Sequence, residues 1–255
     1  MTAADVVAPT GYERHAIGDA VVVARTAAVE SLRRALALAP SLHAWAASAP
    51  GGTAFQGRAT AWGVQLPGSS LDVVVRHAQR GGLLAALRGD RYVWPGRAPW
   101  ELATALKLEA LGVRTPDVVA YALYPAGRGF CRCDVLTRRL PAGAEFPEAW
   151  KHGSPEAREE LLVAVAAMLR DLRAAGAKHP DLNAKNLYVA RVGERWQAWV
   201  LDVDRVRFLT PSESWVGAPN LARLVRSLLK LRDRDGLAIS DVELARLAAL
   251  VEGGT

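Results

Sequence analysis

The sequence has little cysteine: two residues among 255, Cys131 and Cys133, set two apart with no second pair. That spacing excludes a disulfide framework and a cysteine-based zinc site. It reads instead as two reduced thiols on one face of a strand, which fits a cytosolic setting. No apolar run approaches the roughly 18 residues that a membrane-spanning helix needs. The N-terminus lacks a basic segment followed by an apolar core, so the expectation is a soluble chain, peripheral to a membrane at most. Repeats and low-complexity tracts are missing, and so is a G-x-G-x-x-G glycine loop. What is present is ordinary globular material, 51% hydrophobic and 23% charged. It is enough for one large domain or two small lobes sharing a cleft. Lys+Arg number 32 against 26 Asp+Glu, a net charge of +6 and a pI near 9.7. That excess suits an anionic partner, whether nucleotide, nucleic acid or acidic membrane surface, or is simply solubility charge.

Along the chain, Ala20–Ala24 reads as a strand, and good helix formers from Ala27 to about Ala47 predict one helix ended by Pro50-Gly51-Gly52. Its candidate buried positions are Leu32, Leu36, Leu38 and Trp45. Residues 55–64 read as strand, turn, strand around Gly57 and Arg58, and 71–77 as an apolar strand ending in Arg76 and His77. Arg80-Gly81-Gly82 then leads into a short helix or turn over 83–88. Pro99 opens an amphipathic helix to Leu111, stopped by Gly112, with Glu101 in its first turn. Strands follow over 118–124 and 132–138, ending in the Pro141-Ala142-Gly143 turn. Glu156–Ala175 is a strong helix, with Leu161, Leu162, Val165, Leu169 and Leu172 at helical spacing. Residues 187–190 and 197–201 pair as a hairpin. Asn220–Lys230 is an amphipathic helix with Arg223, Arg226 and Lys230 on one stripe, and a last helix covers 241–251.

Between the strong helix and the hairpin stands His179-Pro180-Asp181-Leu182-Asn183-Ala184-Lys185-Asn186, and the hairpin ends in Leu201-Asp202-Val203-Asp204. A His-x-Asp-Leu-x-x-x-Asn loop followed by an apolar strand ending in Asp is the layout of a kinase catalytic loop and its metal-binding Asp. The chemistry accounts for the spacing. Asp181 would accept a hydrogen bond from an attacking hydroxyl, while Asn186 and Asp202 would offer oxygens to magnesium, which prefers such hard ligands. In that frame Gly57 and Arg58 lie where a loop covers the nucleotide, a backbone without Cβ approaching phosphate closely. Arg76 would clamp phosphate where a Lys is usual, or is an exposed strand-end cation. Glu101 would orient Arg76, or simply favours its helix N-terminus; Glu109 is an alternative partner. The backbone at Arg138–Leu140 would meet adenine.

Several blocks together resemble 3-deoxy-D-manno-octulosonic acid (Kdo) kinases, within the protein-kinase-like lipopolysaccharide core kinase family. They are Gly57–Thr60, Val75-Arg76-His77 with Arg80-Gly81-Gly82, Asp134–Thr137, His179–Asn186, Leu201–Asp204 and the Asn220–Lys230 helix. The resemblance runs from about residue 55 to 231. It implies an α+β, two-lobed fold: residues 1–140 form an N-terminal extension with a β-rich lobe, and 141–255 a shortened helical lobe. It further implies ATP-dependent phosphorylation of a Kdo hydroxyl on Kdo-lipid A at the cytoplasmic face of the inner membrane. Asp181 would then be the catalytic Asp, Asn186 and Asp202 the magnesium ligands, and Arg76 with Glu101 the phosphate clamp. Arg80, Asn183, Lys185, Arg223, Arg226 and Lys230 are the candidate contacts to an anionic acceptor. Nucleic acid is not expected as a partner.

Departures from protein kinases bear on the acceptor. Asn183 stands where Ser/Thr protein kinases place a Lys, Asp204 replaces the Gly after the metal Asp, and Lys185 replaces a His expected in close relatives. About 50 residues follow Asp202, which suits a small-molecule or glycolipid acceptor better than a peptide. Two other readings stand beside this one. One is another small-molecule or protein kinase; the other is a non-catalytic module of the same fold that binds anionic lipid or RNA.

Overall fold

A computed structural model describes residues 6–56, 60–79, 89–209 and 217–253. Backbone contacts divide the chain into two compact units, Met1–Ala103 with Asp117–Arg139, and Thr104–Pro116 with Leu140–Thr255.

The first unit is built on one antiparallel sheet. Among the described residues its strands are β1 (Tyr12–Ile17), β2 (Ala20–Arg25), β3 (Thr53–Phe55), β4 (Ala61–Gln65), β5 (Asp72–His77), β6 (Tyr92–Val93), β7 (Val118–Pro125) and β8 (Phe130–Arg138). The path runs β1-β2-β7-β8-β5-β4-β3, with β6 on β8. Valine-rich stretches make these strands because branched side chains pack well on a pleated surface. On one face the sheet buries Val22, Val73, Val75 and Leu136 against Leu32 and Ala35 of α1 (Val29–Leu38) and Trp45 of α2 (Leu42–Ser48). The single helix expected over 27–47 is therefore two. Pro40 follows the end of α1, and Ser41 caps α2 by accepting from the Ala44 N–H at 3.0 Å. Leu38, expected in the core, is 76% exposed on the last turn before that break. Helix α3 (Ala98–Ala110) ends at Gly112, whose φ of +78° suits a residue without Cβ.

The second unit is organised by α5 (Pro155–Ala174), capped by Ser154 and buried along Leu161, Leu162, Val165, Leu169 and Leu172. The hairpin of β11 (Leu187–Val192) and β12 (Arg195–Val200) carries a third strand, β9 (Gly143–Glu145), on β11. Helix α4 (Phe146–His152) buries Phe146 and Trp150, neither of them expected from the sequence. Two short strands, β10 (Ala177–Lys178) and β13 (Arg207–Phe208), pair antiparallel on either side of the loop and strand-end motif. Helices α6 (Gly217–Asp235) and α7 (Asp241–Glu252) complete the unit; a reciprocal Ser240–Glu243 cap starts the latter.

Gly143 lies directly opposite Ala190, and a Cβ there would run into the Val189 carbonyl oxygen. Gly143→Ala should therefore cost roughly 1–3 kcal/mol of stability through overpacking, seen as a lowered unfolding midpoint. An unchanged midpoint would show that the β9–β11 contact yields freely.

Candidate active site

Helix α5 ends at Gly176, and β10 carries the chain straight to His179, whose side chain is fully buried. That imidazole joins two segments. Its Nε2 donates to the Leu201 carbonyl at 3.1 Å, and its Nδ1 accepts from the Asp181 N–H at 3.3 Å. Leu201 immediately precedes Asp202, so one ring ties the loop Asp to the strand-end Asp. Burial pushes His179 below its ordinary pKa and outweighs the opposing pulls of the Leu201 carbonyl and of Asp202, Asp181 and Asp204. The ring is therefore neutral, with its proton on Nε2.

The loop after Asp181 is held by its own amides. The Asn183 side chain accepts from the Lys185 and Asn186 N–H groups at 3.0 and 3.2 Å and donates to the Asp181 carbonyl at 3.0 Å. Asn186 donates from Nδ2 to that same carbonyl at 3.0 Å, leaving its amide oxygen as the atom able to meet a cation. The Leu201 N–H donates to the Asn186 carbonyl at 2.8 Å, which sets Asn186 beside the start of the Asp202 turn. Asp202 itself is exposed and adopts φ +55°, ψ +49°. Among the described residues it is the one non-glycine with positive φ. Such backbone strain persists where the surroundings fix it, and it clusters at functional sites.

Helix α6 braces the loop from beneath. Buried Asn220 accepts from the His179 N–H at 3.0 Å and donates to the Ala177 carbonyl at 2.9 Å. Two turns on, the Ser227 hydroxyl accepts from the Ala184 N–H at 3.1 Å. Leu224 and Leu228 on that face are fully buried, while Arg226 and Lys230 are exposed and Arg223 is half-buried. The basic stripe was legible from sequence, but the bracing role was not. Its signal was the pairing of Asn220 and Ser227 at a spacing of seven, one helix face. Arg205 was also missed. It stands in the turn after Asp202, and its guanidinium contacts the Asp181 carboxylate. Exposed Lys185 lies near Glu145, whose carboxyl is pushed up by burial against the attraction of that lysine.

In the first unit, Arg76 on β5 and Glu101 in the first turn of α3 form an ion pair, with the glutamate only 10% exposed. Beside it, buried Asp134 accepts from the His43 N–H at 2.9 Å, the Tyr124 hydroxyl at 3.0 Å and His77 Nδ1 at 2.6 Å. Asp90 meets the other nitrogen of His77 at 3.0 Å. At Arg138–Leu140 two of the three N–H groups are already committed, Arg138 to the Asp117 carbonyl at 2.7 Å and Arg139 to that of Asp72 at 2.9 Å. Among the described residues, Leu140 carries the one N–H of the three without a backbone acceptor. Gly57, Arg58 and Arg80 lie outside the described residues.

Comparison with known proteins gives this arrangement a family. Residues 43–248 match the family described as lipopolysaccharide kinase (Kdo/WaaP). The chain belongs to that lipopolysaccharide kinase family. It is 33% identical over 180 residues to the 3-deoxy-D-manno-octulosonic acid kinase of Xylella fastidiosa strain 9a5c, covering 69% of this chain and 68% of that one. To the enzyme of the same name from Stenotrophomonas maltophilia strain K279a it is 33% identical over 199 residues, 75% and 74% of the two chains. To that from Photobacterium profundum the identity is 30% over 189 residues, 72% and 76%. Among solved structures, WaaP in complex with acyl carrier protein matches with a TM-score of 0.50 at 18% identity, over 79% of this chain and 78% of that one. The fold is accordingly the mixed α/β, protein-kinase-like one anticipated from the loop motif. As a member of this kinase family the chain is a phosphotransferase acting on a hydroxyl, and ATP use goes with that membership.

The hydrogen bond to Asp134 raises the His77 pKa above 6.5 against the opposing effect of burial, with Asp90 adding to it. A raised folded value means that His77 contributes its full stabilisation below the unfolded value of 6.5 and loses it as pH climbs through the folded one. Melting curves of wild type and His77→Gln should therefore lie furthest apart near about pH 6 and converge toward alkaline pH. A separation that grows with pH would contradict the bracketed, protonated ring.

Proposed function

We propose that this kinase transfers the γ-phosphoryl group of ATP to a hydroxyl of Kdo in Kdo-lipid A, in lipopolysaccharide core biosynthesis. The observation that carries the reading is the His179-centred tie between Asp181 and the Asp202 turn, in a chain whose relatives bear the name Kdo kinase. Asp181 accepts the hydrogen bond from the acceptor hydroxyl and receives its proton as the oxygen bonds to phosphorus and the bond to ADP breaks.

Asp202 and Asn186 would hold magnesium. A carboxylate oxygen and an amide oxygen are hard donors, and the ion takes one or two protein carboxylates while keeping several waters. That donor set is compatible with the finding that no cluster of three or more His, Cys, Asp or Glu suited to a metal occurs among the described residues. When bound, the ion would offset negative charge on the phosphates. Arg76, held by Glu101, serves as the phosphate clamp, and the Leu140 N–H is the backbone donor for adenine. Gly57 and Arg58 would cover the nucleotide. Asn183 acts through the loop that it shapes, while Lys185 and Arg80 offer charge to an anionic acceptor. Residues 1–140 and 141–255 would form the two lobes.

A lipid-borne acceptor places the enzyme peripherally at the cytoplasmic face of the inner membrane. No helix of the described residues is long and apolar enough to cross a membrane, and Arg223, Arg226 and Lys230 on α6 give a basic face for phosphorylated headgroups.

Asp181→Asn and Asp202→Asn should each lower kcat by about 10²-fold or more. Their melting points should move little, since exposed substitutions cost about 0.5 kcal/mol or less. Asn also tolerates the left-handed backbone at position 202. Transfer of labelled phosphate from ATP to Kdo-lipid A, located by mass spectrometry, is the measurement. Near-normal transfer by a folded Asp202→Asn protein would refute the magnesium assignment.

A further inference from the structure

We propose that Arg205 is the receptor for the acceptor's carboxylate, and that it reaches that group by leaving Asp181. The inference rests on the Kdo reading, because Kdo is a sugar acid and so brings a carboxylate close to the hydroxyl that reacts.

Arg205 is placed by construction. It ends the short turn Val203–Arg205 that follows Asp202 directly, and buried Val203 and Val206 pin the backbone on either side. Just beyond, Arg207 and Phe208 pair with Lys178 and Ala177, the two residues before His179. That two-residue antiparallel pairing brings the turn after Asp202 back toward the loop that starts at His179, and the guanidinium meets Asp181 at Oδ2.

With a neutral sugar as acceptor this contact would be a handicap. The guanidinium occupies one of the two carboxylate oxygens open to the attacking hydroxyl and draws negative charge from both, and a neutral sugar offers it nothing in exchange. With an acid acceptor the same contact becomes an exchange. The Arg205 and Asp181 side chains are 54% and 50% exposed, and ion pairs so exposed are weak. The flat guanidinium can accept a second carboxylate through two parallel N–H bonds. A sugar ring whose hydroxyl lies on Asp181 holds its own carboxylate within reach of a group already touching Asp181. Binding then frees Oδ2 for the hydroxyl only when the correct acid is present. The cation also answers a local problem of charge, because Asp202 and Asp204 add two more carboxylates around this loop, and an anionic acceptor needs a cation to approach them.

The test is a double-mutant cycle between protein and substrate, using the full chain, labelled ATP and two acceptors. One acceptor is Kdo-lipid A; the other is the same molecule with the Kdo carboxyl converted to a primary amide. Wild type should lose about tenfold or more in kcat/KM on the amide. R205Q should lose a similar factor on the acid, chiefly in acceptor KM, with KM for ATP unchanged. On the amide, R205Q should equal or exceed wild type, because nothing then occupies Asp181, so that the two losses do not multiply. R205K, which keeps the charge but not the fork, should fall between. Losses that multiply, an acceptor KM unmoved by R205Q, or a rise confined to KM for ATP would each overturn the assignment. If wild type phosphorylates neither acceptor, the Kdo reading itself fails and this inference falls with it; a normal wild type with an insensitive R205Q sinks the inference alone.

Discussion

A buried, uncharged imidazole is the constraint on which the second unit's chemistry depends. His179 spends one nitrogen on the Asp181 N–H and the other on the Leu201 carbonyl. One partner belongs to Asp181 and the other to the residue before Asp202, the two carboxylates proposed to serve the reaction. The ring can do this only while neutral, because a protonated His has two donors and no acceptor for the Asp181 N–H. Desolvation keeps it neutral although three carboxylates attract a proton to it. Burial thus has a use beyond packing: it selects the protonation state that makes the joint.

The histidine of the first unit shows the opposite solution. His77 lies between Asp134 and Asp90, and its pairing with Asp134 outweighs the cost of burial. There the aspartate is the fully buried partner, gathering a backbone N–H, a tyrosine hydroxyl and the imidazole from three separate segments. The two rings differ in what surrounds them. Around His179 the acceptor on the ring is the Leu201 backbone carbonyl and the carboxylates act without a hydrogen bond to it; around His77 two carboxylates touch the ring directly.

Much of this was legible in the sequence where periodicity is strong. The α5 leucines read as one buried stripe, and the β5, β7, β8 and β11–β12 strands fell close to their expected ranges because branched residues bounded by glycine and proline leave few alternatives. The break in the first helix was missed because helix formers on both sides of Pro40 masked a proline followed by a serine cap. Elements as short as β6, β9, β10 and β13 carry too few residues to show a period. Of the site, the spacing of Asp181, Asn186 and Asp202 exposed the motif, and Arg76 with Glu101 could be paired by analogy. The joints between them could not be read. Asn220 and Ser227 reach back about forty residues to the loop, and Arg205 meets Asp181 only after a hairpin has folded. Contacts that distant in sequence leave no local pattern.

The most direct test of the central claim is the state of one ring. Long-range proton–nitrogen NMR of the imidazoles should find His179 as the neutral Nε2–H tautomer, with its titration displaced below the ordinary value of 6.5. A His179 that titrates there like a free histidine, or that carries its proton on Nδ1, would contradict the account, because the link between the Asp181 loop and the Asp202 turn could not then exist as described.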